Sequence, residues 1–430
     1  MLFGLYRALT TLGGPLIERH LRRRLARGKE DRDRFPERMG VAGRPRPEGA
    51  LAWLHAASVG EALSILVVVD RLLAERPDLS VLVTTGTVTS ARIMTDRLGG
   101  RAFHQYHTVD RLPWVRRFLD HWRPDLVLWT ESEFWPNSLA EIGDRGIPLI
   151  LLNGRVSDRS FRRWKLWPGL IRRVLGAFTL CLGQTGEDRD RLARMGAARA
   201  ECVGNLKMAA PPLPAPPDEL DALRAAVAGR PAWVAASTHA GEERIAARIH
   251  LRLAERVPGL LTLIVPRHPP RGPEIALELE PLGVTVARRA AGAPLDGGSG
   301  IYLADTMGEL GLFFRLADVA FMGKSLVPLG GQNPLEPARL GCAVLFGPFM
   351  GNFTEIAARM LIAGAAREVA DEEDLERLLL ALLTNPSQRE RMAEAARAFA
   401  TSEAEGVTDR LMDLLAPFLD AAQEAARARS

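Results

Sequence analysis

Only three cysteines occur in 430 residues, Cys181, Cys202 and Cys342, and no two of them form a CxxC pair. A disulfide framework and a zinc ribbon are therefore not expected, and a reducing compartment fits this cysteine usage. No stretch reaches 18 uninterrupted apolar residues, so the body of the chain is expected to be soluble. Neither GxGxxG nor GxxxxGK[ST] follows any apolar run, which counts against a dinucleotide dehydrogenase and a P-loop enzyme. Strong overall charge is missing as well. The net +4 comes from residues 1–40, which hold ten Lys/Arg against five Asp/Glu, and the remainder is close to neutral. A nucleic-acid partner is not expected.

The composition, 47% hydrophobic and 25% charged, is that of a globular chain, and the length exceeds what one core usually serves. The apolar opening, Met1 to Ile17, runs into Arg22, Arg23, Arg24, Arg27 and Lys29. It is short for a membrane span and no small-residue cleavage site follows it. Two readings stand: a helix lying on or anchored in a membrane with its basic flank on the cytoplasmic side, or an ordinary first helix with a solvated basic face.

From residue 51 short apolar runs alternate with longer amphipathic ones, the pattern of repeated βα units around a parallel sheet. Strands are expected near Leu51–His55, Val81–Thr84, Leu126–Trp129 and Leu149–Leu152. A second series follows near Trp233–Ala236, Leu261–Val265, Val284–Ala287, Ile301–Leu303, Val319–Met322 and Ala343–Phe346. Between them five prolines, Pro211, Pro212, Pro214, Pro216 and Pro217, make a stiff linker. The expected division is a membrane-associating segment 1–40, a first domain 41–207, a linker 208–218 and a second domain 219–430. Two α/β halves so joined imply a ligand cleft between them, at the carboxyl ends of their strands.

Several segments carry chemistry. Ser58-Val59-Gly60-Glu61 fits a capping box, and it equally places Glu61 as a general base with Gly60 leaving room for substrate. Glu131 and Glu133 follow a strand and stand among aromatic residues, a setting for binding hydroxyls or for surface charge beside a packed tryptophan. In the second half, Ser237 to Glu242 forms a polar, glycine-containing turn. Arg267-His268 follows an apolar strand and suits a phosphate or carboxylate, although an arginine there is often a surface ion pair. Gly330 to Pro337 reads as a loop opening a helix, with Asn333 as N-cap and Glu336 able to accept from ribose hydroxyls. Lys324 and Ser325 add a cation and a hydroxyl nearby. Met307 and Gly308 permit close approach to a flat base, and Lys207 stands where the first domain meets the linker. Asp31-Arg32-Asp33 and Asp188-Arg189-Asp190 lie in arginine-rich helical stretches and read as solvated ion-pair faces, so no metal is implied.

HAASVGE (55–61), TESEFWPN (130–137), GNLK (204–207), STHAGEE (237–243), VPRHP (265–269), DTMGEL (305–310) and GGQNPLEP (330–337) follow one another along nearly the whole chain. In order and spacing they resemble the 3-deoxy-D-manno-octulosonic acid (Kdo) transferases of lipopolysaccharide synthesis. The resemblance implies a GT-B fold, two Rossmann-like domains facing a central cleft, with an acceptor domain followed by a CMP-Kdo domain. It also implies CMP-Kdo as donor, a lipid A precursor as acceptor, no cofactor or metal, and attachment to the cytoplasmic face of the inner membrane. Glu61 maps onto the family's general base, with Ser58, Gly60, Glu131 and Glu133 on the acceptor side. Donor contacts map onto Lys207, Ser237, His239, Arg267, His268, Met307, Gly308, Glu309, Lys324, Ser325, Gly331, Gln332, Asn333 and Glu336. Two departures are visible: Gln332 stands where the family often has histidine, and Lys324 where it often has a second glycine.

The expected reaction is a single displacement with inversion, in which Glu61 deprotonates an acceptor hydroxyl that attacks the anomeric carbon of Kdo. The CMP phosphate leaves into the field of Arg267, Lys207 and the helix opening at Asn333. The competing readings are another GT-B enzyme acting on a UDP-sugar, such as a lipid-A-disaccharide synthase or an epimerase, and a non-catalytic membrane-associated binding protein.

Overall fold

The structure, a computed structural model, describes residues 2–209, 211–227, 229–295 and 300–429. It divides into two compact units. One comprises Met1–Pro211 with Ala404–Ser430, the other Pro212–Glu403.

The first unit is built on seven parallel strands: β1 (Ala50–Ala56), β2 (Leu79–Thr85), β3 (Ala102–Tyr106), β4 (Leu126–Thr130), β5 (Leu149–Gly154), β6 (Leu180–Gly183) and β7 (Ala200–Cys202). Their order across the sheet is β3-β2-β1-β4-β5-β6-β7. Every residue of β1, β4 and β5 is buried, as parallel strands covered by helices on both faces require. Side chains alternate between the faces. Ala52, Leu54 and Ala56 pack with Ile65, Leu66 and Val69 of the helix Val59–Glu75. Leu51 and Trp53 face the other way, against Phe118, Trp122 and Trp129.

The second unit repeats the plan with β8 (Ala232–Thr238), β9 (Leu261–Pro266), β10 (Val286–Arg288), β11 (Ile301–Leu303), β12 (Val319–Met322), β13 (Ala343–Phe346) and β14 (Ala366–Glu368). The order is β10-β11-β9-β8-β12-β13-β14, again parallel throughout. The α/β expectation holds for both halves.

Residues 404–430 differ from the expected division, which placed them in the second domain. Val407, Leu411, Leu415 and Leu419 recur every fourth residue along the helix Pro386–Arg427 and pack on Leu54 and Leu182 of the first sheet. An amphipathic stripe announces a buried face but not which sheet it covers. The expected linker is also shorter at its end, because Pro217 opens the helix Pro217–Val227, a first-turn position where proline's missing N–H costs nothing. Strands β3, β6, β7 and β14 were not anticipated. Three of these have only three or four residues, and β3 carries His104 and Gln105.

Candidate active site

In the first sheet the chain runs from β1 outward to β3, then returns to the other side of β1 at β4. The carboxyl ends of β1 and β4 therefore flank a switch point, where neighbouring crossovers diverge and leave room for a ligand. His55 is in register with Trp129, so the turn carrying Ser58–Glu61 adjoins the turn carrying Glu131–Trp135. Both acidic segments meet at this point.

Glu61 is buried, at 6% exposure. Its Oε2 accepts from the Ala57 N–H at 2.9 Å and lies 3.0 Å from the Thr130 hydroxyl, whose proton is shared with the His55 carbonyl at 2.8 Å. Oε1 accepts from the Ser58 hydroxyl at 2.8 Å, while Ser58 Oγ accepts from the Glu61 N–H at 3.3 Å. The capping box is thus real in part, although the carboxylate reaches the N–H before the cap residue. Gly60 faces open space: an added Cβ would meet nothing within 4 Å. Glu133 is half-buried, and its carboxyl is pushed up by burial first and then by the charge of Glu61, with Glu131 adding to it. Glu131 is neutralised by Lys207, 2.6 Å away. Lys207 thus pairs with this acidic turn of the first unit.

Behind the turns His55 and His107 lie with ring centroids 4.1 Å apart, walled by Trp53 and Trp129. Burial holds His55 at about 3 and His107 well below its ordinary value, the second helped by the charges of His55 and Arg38. Both are neutral imidazoles. His55 Nδ1 meets Thr84 Oγ1 at 3.0 Å, whereas His55 Nε2 and both nitrogens of His107 have no hydrogen-bond partner among the described residues.

The second sheet has its switch point between β8 and β12, and the donor-side residues on the ends of β8, β9 and β12 gather there. His239 packs edge-on against His268, with ring centroids 5.6 Å apart. Its imidazole is lowered by burial first, then by the charges of Lys324, His268, Arg267 and Arg271. The nearby acids are already engaged. Glu242 accepts from four backbone N–H groups, those of His239 (2.9 Å), Lys324 (2.7 Å), Ser325 (3.2 Å) and Leu326 (3.2 Å). Glu243 bonds Thr238 (3.1 Å) and Arg271 (2.9 Å). The resulting surface is electropositive and suits an anion.

Gly330 and Gly331 adopt φ of 96° and 72°, and a Cβ at Gly331 would lie 2.4 Å from Met350 Sδ. Both positions need glycine. The helix that follows is short, Leu335–Arg339, and its N-cap is Pro334 rather than Asn333. Asn333 Oδ1 instead accepts from the Leu335 N–H at 3.1 Å. A helix of five residues has little dipole, so any anion there rests on side chains. Glu336 is half-buried and pushed up by burial, against the pull of Arg339, Asn333 and Arg267. Gln332 is half-buried as well.

Two expected donor residues are occupied elsewhere. Ser325 is fully buried, its hydroxyl donating to the Met322 carbonyl and accepting from the Gly347 N–H at 2.7 Å. Glu309 is paired with Arg289 at 2.6 Å, and that guanidinium pulls its carboxyl below the ordinary range. Met307 and Gly308 stay available on an exposed turn after β11. Asp188 is not a solvated face either; it is buried and accepts from the Val156 N–H at 2.7 Å. Among the described residues no cluster of three or more His, Cys, Asp or Glu is arranged to hold a metal.

Comparison with known proteins decides the family. The family model for 3-deoxy-D-manno-octulosonic-acid transferase (kdotransferase) matches residues 33–210. The 3-deoxy-D-manno-octulosonic acid transferase of Bordetella pertussis is 37% identical, over 94% of this chain and 96% of that one. That of Haemophilus influenzae is 34% identical, over 96% and 98%. The chain belongs to the Kdo transferase family. It is a glycosyltransferase. The structure of a putative UDP-N-acetylglucosamine 2-epimerase from Listeria monocytogenes covers 86% of the transferase and 97% of its own chain, with a TM-score of 0.58 at 14% identity. That likeness concerns the GT-B-like fold alone.

The transferase's opening segment forms two helices, Leu2–Leu12 and Gly14–Ala26. Its polar side is tied to the first unit. Tyr6 donates to Asp110 at 2.9 Å, Asn137 donates to Thr10 at 3.0 Å, and Arg111 donates to the Thr11 carbonyl at 3.3 Å. Asp110 also caps the helix Pro136–Asp144 through the N–H groups of Asn137 and Ser138. The opposite side is a stripe of exposed leucines, Leu2, Leu5, Leu9, Leu12 and Leu16, with Leu12 81% exposed. Beside it, Arg173 stands over Phe3 at 5.9 Å, at the end of a basic segment that exposes Leu166 and Trp167. No helix among the described residues is long and apolar enough to cross a membrane.

Sequence reasoning missed Thr130, Glu242 and the His55–His107 pair. Thr130 and His55 lay inside quoted motifs, but their contacts to Glu61 and Trp129 depend on strand order. Glu242 carried a signal too, at the end of the same turn pattern that singled out Glu61. Strain supplies another. Of five non-glycine residues with positive φ among the described residues, Glu131, Ser237 and Lys324 stand in or next to the turns described above, and Asn153 of β5 reaches Glu131.

Proposed function

We propose that this glycosyltransferase moves Kdo from CMP-Kdo to a lipid A precursor such as lipid IVA, by single displacement with inversion. The observation that carries the reading is the buried Glu61 carboxylate, held in place by Ala57, Ser58 and Thr130 at the first switch point, beside Glu133. With Gly60 leaving the approach open, Glu61 takes the proton of an acceptor sugar hydroxyl as that oxygen attacks the anomeric carbon. Glu133, whose carboxyl is pushed up by burial and then by the charge of Glu61, lines the acceptor side beside it. On the donor side Arg267 receives the charge that develops on the departing CMP, and Glu336 accepts from the ribose.

The acceptor is a lipid, and the leucine stripe supports action at a membrane. We infer that the enzyme works on the cytoplasmic face of the inner membrane; the exposed leucines and the exposed Arg19, Arg22 and Arg23 support this, since an apolar face suits the headgroup region and arginines suit anionic lipid. Mass spectrometry of the lipid formed from CMP-Kdo and tetra-acylated lipid A precursor tests the reading. A mass gain of one or more Kdo units is expected. A product formed only from a UDP-sugar would replace this reading with the epimerase-like or disaccharide-synthase alternative.

A further inference from the structure

Lys324 has a left-handed backbone, φ 63°, which a lysine adopts only at a cost and a glycine without one. Glycine is used one residue earlier for a different reason: a Cβ on Gly323 would lie 2.8 Å from the Ser237 carbonyl oxygen. The backbone of Lys324 is fixed on both sides, its N–H donating to Glu242 Oε2 at 2.7 Å and its carbonyl accepting from the Gly331 N–H at 2.8 Å. Those contacts would serve a glycine equally well. The side chain contributes no ion pair or hydrogen bond to the fold among the described residues, yet its charge reaches His239.

Among the described residues Arg267 and Lys324 form no ion pair with an acid, although the charge of Arg267 is felt at Glu336. Glu242 is taken by backbone N–H groups and Glu243 by Arg271 and Thr238, while Glu336 lies with Asn333 and Arg339. Arg267 follows β9 and Lys324 follows β12, one strand to either side of β8 and its His239. Their backbones are therefore roughly 10 Å apart, a span two long side chains can close onto neighbouring anions. In an ulosonic acid joined to a nucleotide, the anomeric carbon bears both a carboxylate and the phosphate oxygen, so one carbon presents two anions.

We propose that Lys324 holds the donor's carboxylate while Arg267 holds its phosphate, so that Lys324 adds an affinity for the acidic sugar that a glycine at this position does not supply. This rests on the assignment of the donor to this part of the second unit. The strain at Lys324 is then the cost of putting an ammonium, rather than a glycine, beside the sugar.

The test is calorimetry on the full chain with two probes, CMP and a hydrolysis-resistant phosphonate analogue of CMP-Kdo, for wild type, Lys324→Gly and Arg267→Ala. Lys324→Gly relieves the backbone, so it should melt no lower than wild type. Its affinity for the analogue should fall on the order of tenfold while its affinity for CMP stays within about twofold. Arg267→Ala should weaken both probes. Equal weakening of CMP and analogue in Lys324→Gly would put the ammonium on the phosphate and overturn the proposal, as would no change with either probe. If Arg267→Ala also binds both probes like wild type, the donor-site assignment itself fails.

Discussion

Lowering the pH from 7 to 5 should unfold the first unit more readily, through His55 and His107. Both rings are almost fully buried, and burial holds His55 at about 3 against an ordinary value of 6.5. Between those values the unfolded chain takes up a proton that the folded chain refuses, so stability falls as pH drops through 6.5 and continues to fall toward 3. For one such histidine the loss from pH 7 to pH 5 is about 2 kcal/mol. Against a typical total of about 5–15 kcal/mol that is a large share. The variant His107→Leu isolates the effect, because neither ring nitrogen of His107 has a partner to lose among the described residues. Urea unfolding followed by tryptophan fluorescence at pH 7 and 5 compares the two proteins, with Trp53 and Trp129 flanking the pair as reporters. His107→Leu should lose clearly less stability than wild type over that interval, because the ring whose protonation burial opposes is gone. Equal losses would refute the reasoning.

On the donor side, Arg267→Ala and Glu336→Gln should each weaken CMP-Kdo binding by about ten- to a hundredfold, read by calorimetry, with the far-UV spectrum unchanged. At the membrane, replacing Leu9 and Leu12 together by serine should reduce flotation with anionic vesicles and leave the melting temperature unchanged, since both side chains are already exposed. Unaltered flotation would shift the anchoring to Leu166 and Trp167.

How far the sequence could be read depended on the range of the interactions. The α/β halves were legible because central strands such as β1, β4, β8 and β12 must be continuously apolar, and the proline run marks the change of unit within a few residues. Glu61 was legible because a capping box and a strand end are local features. What escaped depended on distant partners: the stripe from Val407 to Leu419 does not name the sheet it covers, and Lys207 shows nothing in sequence of its partner Glu131. The local pattern of loop, asparagine and proline points to Asn333 as the cap, yet the turn places Pro334 there. Ser325 and Glu309 matched donor motifs, while their hydrogen bonds to Gly347 and Arg289 could be seen only in three dimensions.

The central claim is that Glu61 removes the acceptor's proton, and Glu61→Gln tests it most directly. Glutamine keeps an oxygen for the Ala57 N–H and an amide for Ser58, so the cost to stability should be on the order of 0.5–1 kcal/mol. The amide cannot accept a proton. Turnover measured at saturating CMP-Kdo and lipid acceptor should fall by roughly 10² to 10⁴, with CMP affinity and melting temperature near wild type. Wild-type turnover in Glu61→Gln would contradict the account and leave Glu61 a helix cap.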